Sequence, residues 1–69
     1  MDRTPVTSSN IMAIGYDPDS RVLEIEFRSG IYRYSSVPEA VFEGLMEASS
    51  HGRYFAQMIR GRFDFSRLA

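Results

Sequence analysis

Cysteine is absent, so neither a disulfide nor a thiolate metal site can stiffen this chain. The single histidine, His51, is too few for an ordinary imidazole zinc site, and no metal or cofactor is expected. Lysine is missing too: all eight basic residues are arginine. Arginine suits bidentate phosphate or carboxylate contacts and stacking, although a G+C-rich coding bias produces the same pattern. No apolar run approaches the ~20 residues of a membrane span, and no basic-then-apolar start suggests a signal peptide. The expectation is a cytoplasmic protein with no membrane partner. Charge of one sign is not in excess either. The formal net charge is −1 and the pI about 5.7, whereas a general polyanion binder is usually basic.

What is present fits one small domain. A chain of 69 residues buries only ~60% of its unfolded surface, so its core is thin. Small domains without staples lean on association, and a homo-oligomer is expected. Residues 1–7, with Pro5 and little apolar content, read as a flexible N-terminal arm, and residues 8–69 as the domain. Ile11 to Tyr16 reads as a strand that is apolar on both parities, so its second side should be covered. Asp17-Pro18-Asp19-Ser20 is a turn. Arg21 to Arg28 alternates as a second strand, and Ile31 to Ser35 forms a third. Ser29-Gly30 between them reads as a two-residue hairpin loop. That loop sets Phe27 opposite Tyr32, Glu26 opposite Arg33 and Ile25 opposite Tyr34. Leu23, Ile25, Phe27, Tyr32 and Tyr34 then share one face.

Beyond this hairpin the period changes. Ser36-Val37-Pro38-Glu39 fits a capping box. Val37, Val41, Leu45 and Ala48, with Phe42 and Met46, make a helical stripe, while Glu39, Glu43 and Glu47 make a solvated opposite face. Gly44 inside this helix suggests a close approach to the sheet. Ser50 is an N-cap for a second helix with Tyr54, Phe55, Met58 and Ile59 on one stripe, and Gly61 ends it. Phe63 to Leu68 alternates as a short strand or docked tail. The fold class is α+β: a three-stranded antiparallel meander followed by two helices packed on one face. The expected core is Ile14 or its neighbours, Leu23, Ile25, Phe27, Val41, Leu45, Phe55 and Ile59.

An ordered set of residues resembles the KTSC domain, a small domain found at the C-terminus of some lysyl-tRNA synthetases and as a stand-alone bacterial or phage protein. The set runs from Ser8-Ser9-x-Ile11 through Gly15-Tyr16-Asp17, Leu23-x-Ile25-x-Phe27 and Gly30-x-Tyr32-x-Tyr34. It continues with Val37-Pro38 and Ala48-x-Ser50-x-Gly52-x-Tyr54-Phe55, and ends at Ile59-Arg60. The resemblance covers nearly the whole chain, and it implies RNA binding as the activity to test.

Candidate binding residues come in three groups. Tyr32 and Tyr34 can stack bases, although the register sets them beside Phe27 and Ile25 under the helices. Ser50, His51, Gly52, Arg53 and Tyr54 surround a helix start, where free N–H groups and the dipole favour anions. Arg53 and Arg60 lie seven apart and so share a helix face that could grip phosphates. No nucleophile, base and orienting acid assemble, so no enzyme is expected. Three functions compete. The first is a binding module for RNA or another nucleotide-containing ligand. The second is an oligomeric, possible phage-borne sequestering protein for a small anionic nucleotide. The third is a protein–protein module using the apolar second face of the first strand.

Overall fold

The computed structural model describes residues 1–69. In chain order the elements are β1 (Thr4–Pro5), β2 (Ile11–Asp17), β3 (Val22–Phe27), β4 (Gly30–Tyr34), α1 (Glu39–Glu47), α2 (His51–Met58) and β5 (Phe65–Arg67). The five strands form one antiparallel sheet in the order β1-β2-β3-β4-β5. The α+β class is as expected, and the expected meander forms the middle of the sheet. One further strand lies at each edge. No helix is long and apolar enough to cross a membrane.

The edge strand β1 comes from the segment expected to be a flexible arm. Thr4 pairs with Ile14, and Pro5 with Ala13. This pairing closes the outer edge of β2, while Met12 on its second face stays 45% exposed. Residues 1–3 lie over Gly15, so closely that a Cβ there would come within 2.6 Å of the Asp2 carbonyl oxygen. The surface expected to be open to a protein partner is thus partly covered by the chain itself. At the other edge, the tail after α2 adds β5, with Phe65 opposite Tyr34 and Arg67 opposite Tyr32.

The hairpin between β3 and β4 departs from the expected register. Its turn is Arg28-Ser29, and Leu23 faces Tyr34, Glu24 faces Arg33, and Ile25 faces Tyr32. The slip is even, so every side chain keeps its face while the partners change. Gly30 belongs to the ladder, opposite Phe27, and the C-terminus lies so close to it that a Cβ would sit 2.6 Å from the Ala69 carbonyl oxygen.

The capping box is also absent. Ser36 takes a left-handed φ of 58°, and α1 starts after Pro38 with no side-chain cap. The bend at Ser36 directs Val37 into the core, where it is fully buried. The Val37 N–H donates to the Arg21 carbonyl at 2.9 Å, and its carbonyl accepts from the Tyr16 hydroxyl. Gly44 makes room for the Tyr54 ring of α2 and not for the sheet. Ile11, Ile14, Leu23, Ile25 and Phe27 from the sheet meet Val37, Leu45, Phe55 and Ile59 in one core cluster, while Val41 packs only at its margin.

The sheet face away from the helices carries one buried acid. Glu24 is 3% exposed. Its Oε1 accepts from Arg3 Nη1 at 2.8 Å, and its Oε2 accepts from Arg33 Nη2 at 2.7 Å and Nε at 3.1 Å. Burial pushes this carboxyl up, but the hydrogen bonds from Arg33 and Arg3 outweigh burial and hold its pKa below the ordinary value. A carboxyl whose pKa falls on folding stabilises the native state above the unfolded pKa. That contribution disappears as pH drops through the native value. Glu24→Gln is therefore expected to cost about 2–3 kcal/mol at pH 7. Urea denaturation at several pH values should show the gap between variant and parent closing below the ordinary glutamate range. A gap that stays constant with pH would contradict this role for the carboxylate.

Candidate functional site

The helices cover only part of the sheet. Alternation on β4 sends Tyr32 and Tyr34 to the helix side, and the pairing of β5 sets Phe65 beside both. On the helix side of the gap, α2 presents Phe55, and the turn after α2 presents Arg60 and Gly61. With Phe27 these residues enclose an open cleft of about 300 Å³, with Asn10 and Ser29 at its edge.

The rings around the cleft meet mainly edge to face, the arrangement that the aromatic quadrupole favours. Phe55 lies 5.1 Å from Phe27 at 69° and 5.7 Å from Tyr34 at 71°. Tyr32 lies 5.7 Å from Phe27 at 79°. Phe65 is the exception in exposure, with 60% of its surface open although it lies beside Tyr32 and Tyr34. The guanidinium of Arg60 sits 5.6 Å above the Phe55 ring, and that of Arg67 sits 5.8 Å from the Tyr32 ring. Tyr34 is 5% exposed. Burial, with help from the neighbouring Tyr32, pushes its phenol up, and Arg60 partly offsets the shift.

The candidate residues do not assemble into one site. Tyr32, Tyr34 and Arg60 come together at the cleft. Arg53 and Tyr54 line a separate shallow groove with Ser50 and Gln57. His51 and Gly52 line a third, wholly polar hollow with Ser50 and the loop residues Thr7 to Ser9. Arg53 and Arg60 do not share a helix face, because α2 ends at Met58 and Arg60 falls in the following turn. The expected cap at Ser50 is present, its hydroxyl accepting from the Arg53 N–H at 3.2 Å. His51 ties the two helices together: its Nδ1 lies 2.8 Å from the Leu45 carbonyl oxygen. A carbonyl only accepts, so Nδ1 carries the proton and donates.

Most of the other arginines are held by the fold. Arg3 and Arg33 bind Glu24, while Arg28, Arg62 and Arg67 donate to main-chain carbonyls. The sequence read Phe27 and Phe55 as core and left Phe65 in a tail of undecided structure. Its one signal for Phe65 was the alternation from Phe63 to Leu68.

The family model described as the KTSC domain matches residues 7–63. An uncharacterized protein of Stutzerimonas stutzeri is 46% identical over 61 residues, which cover 87% of this chain and 86% of that protein. A lysine–tRNA ligase of a Nostoc species is 44% identical over 62 residues, 88% of this chain but 11% of the ligase. The crystal structure of a KTSC domain protein from Yersinia pestis superposes with a TM-score of 0.97 at 48% identity, covering 99% of this chain and 97% of that one.

The His51 geometry yields a test. His51→Ala removes the donor to the Leu45 carbonyl and should lower stability by about 1 kcal/mol, read as a lower denaturation midpoint with unchanged slope. An unchanged midpoint would mean that this link contributes nothing to holding α2 against α1.

Proposed function

This chain belongs to the KTSC domain family, and from that premise we propose that it is a non-catalytic binding module for single-stranded RNA, engaged through the aromatic cleft. The observation that carries the reading is the set of rings around that cleft, with an arginine at its rim. An unstacked base gains about 1–3 kcal/mol by stacking on an open ring, largely without regard to sequence; Phe65 is the exposed ring, with Tyr32 half-buried beside it, while Phe27, Tyr34 and Phe55 are buried and form the floor. The guanidinium of Arg60 makes no hydrogen bond within the protein that would compete for a phosphate, and stacking on Phe55 orients it. The occurrence of a similar segment within lysine–tRNA ligases supports RNA as the ligand class.

The acidic overall charge, which counts against a polyanion binder, weighs less once the arginines are assigned. A reading that needs a basic patch would fail here, because Arg3 and Arg33 neutralise Glu24. A reading that needs one stacked base and one or two phosphates does not. Catalysis is no part of the proposal. His51 is directed at a carbonyl, and Asp17 holds a turn by accepting from the Asp19 N–H at 3.0 Å.

The expected outcome is specific. A labelled single-stranded RNA should bind with a shallow salt dependence, the slope of log K against log salt being about −0.7 to −1.4 for one or two phosphates. Arg60→Ala should weaken binding about tenfold and flatten that slope by about 0.7. Fluorescence anisotropy at two salt concentrations provides the measurement. A steep slope, or full affinity in the Arg60 variant, would sink this reading.

A further inference from the structure

We propose that the cleft is a mononucleotide-sized subsite, holding one planar nucleobase with its edge on the Tyr34 hydroxyl and its phosphate at Arg60; this rests on the RNA reading above and narrows it. The first observation is the hydroxyl itself. Tyr34 is 5% exposed and lines the cleft, but its hydroxyl has no hydrogen-bond partner within the protein and is not sealed from solvent. The contrast is Tyr16, whose hydroxyl is held by the Val37 carbonyl. Tyr34 instead presents one donor and one acceptor to whatever occupies the cleft.

The second observation is size. About 300 Å³ lies at the lower end of small-molecule sites, enough for one ring system and not for a stack of bases. The third is charge. Arg60 is the only ionised residue lining the cleft, and no carboxylate faces it. An aromatic cage for a quaternary ammonium ion would place a cation against that arginine, so the cleft selects an anionic or neutral ring instead. The exposed Phe65 ring offers the stacking surface.

The test is titration of the intact protein with the four ribonucleoside 5′-monophosphates, ribose 5-phosphate and choline, following the aromatic resonances of Tyr34, Phe55 and Phe65. The nucleotides should shift these resonances; ribose 5-phosphate, which lacks the ring, and choline should not. Tyr34→Phe keeps the ring and should weaken at least one nucleotide about three- to tenfold, altering the order of base preference. Arg60→Ala should weaken nucleotides and leave the matching nucleosides unchanged. Competition between a bound mononucleotide and single-stranded RNA would assign the base in RNA to the same cleft. Cleft resonances that ignore every nucleotide, or a Tyr34→Phe variant with unaltered preferences, would overturn the subsite. If RNA then still binds and shifts other residues, the broader RNA reading survives alone; if RNA does not bind either, both fall.

Discussion

Phe55 is the contact on which the rest of this small domain depends. Its ring meets Phe27 and Tyr34 edge to face and carries Arg60 on its surface. Without disulfides or metal, α2 is seated on the sheet chiefly by this ring and by Ile59. The same geometry determines what stays open. Two short helices cannot cover a sheet of five strands, and they cover the Leu23 and Ile25 region first. The β4–β5 side keeps its aromatic side chains under a partial roof. Fold and candidate site therefore share their residues, and the cleft is a consequence of incomplete coverage.

The other face of the sheet solves a different problem. It has no helix over it, yet Glu24 is buried there, with arginines from β4 and from the segment before β1 on its two oxygens. A buried charge left unpaired would be costly, whereas a fully hydrogen-bonded one is tolerated and specific. The pairing recruits Arg3, and with it the N-terminal residues that cover Gly15. One carboxylate thus helps to fix the pairing of β3 with β4 and the position of the first edge strand.

Much of the fold was legible in the sequence because it follows from local periodicity. The alternation of β3, the change of period after Pro38 and the Ser50 cap each rest on a few neighbouring residues. The hairpin slip was not legible, since Ser29-Gly30 satisfies local turn rules as well as Arg28-Ser29 does, and an even slip leaves the pattern of faces unchanged. Glu24 and Glu26 present the same residue type two positions apart and Arg3 reaches both, so what distinguishes Glu24 is the Arg33 guanidinium on its second oxygen, which follows from the slipped register. Ser36 read as a cap because its spacing to Glu39 is right, whereas the burial of Val37 draws it into a left-handed bend. The tyrosines were visible as candidates, and Arg60 as a partner. Their assembly with Phe65 into one cleft required β5, which three exposed residues form and which no strong pattern announces.

The most direct test of the cleft as the binding surface is ultraviolet cross-linking of the protein to single-stranded RNA, with the attachment sites mapped by mass spectrometry. The account predicts adducts on Tyr32, Tyr34, Phe55 or Phe65. Adducts confined to the Ser50–Tyr54 helix start, or to the outer sheet face around Glu24, would contradict it.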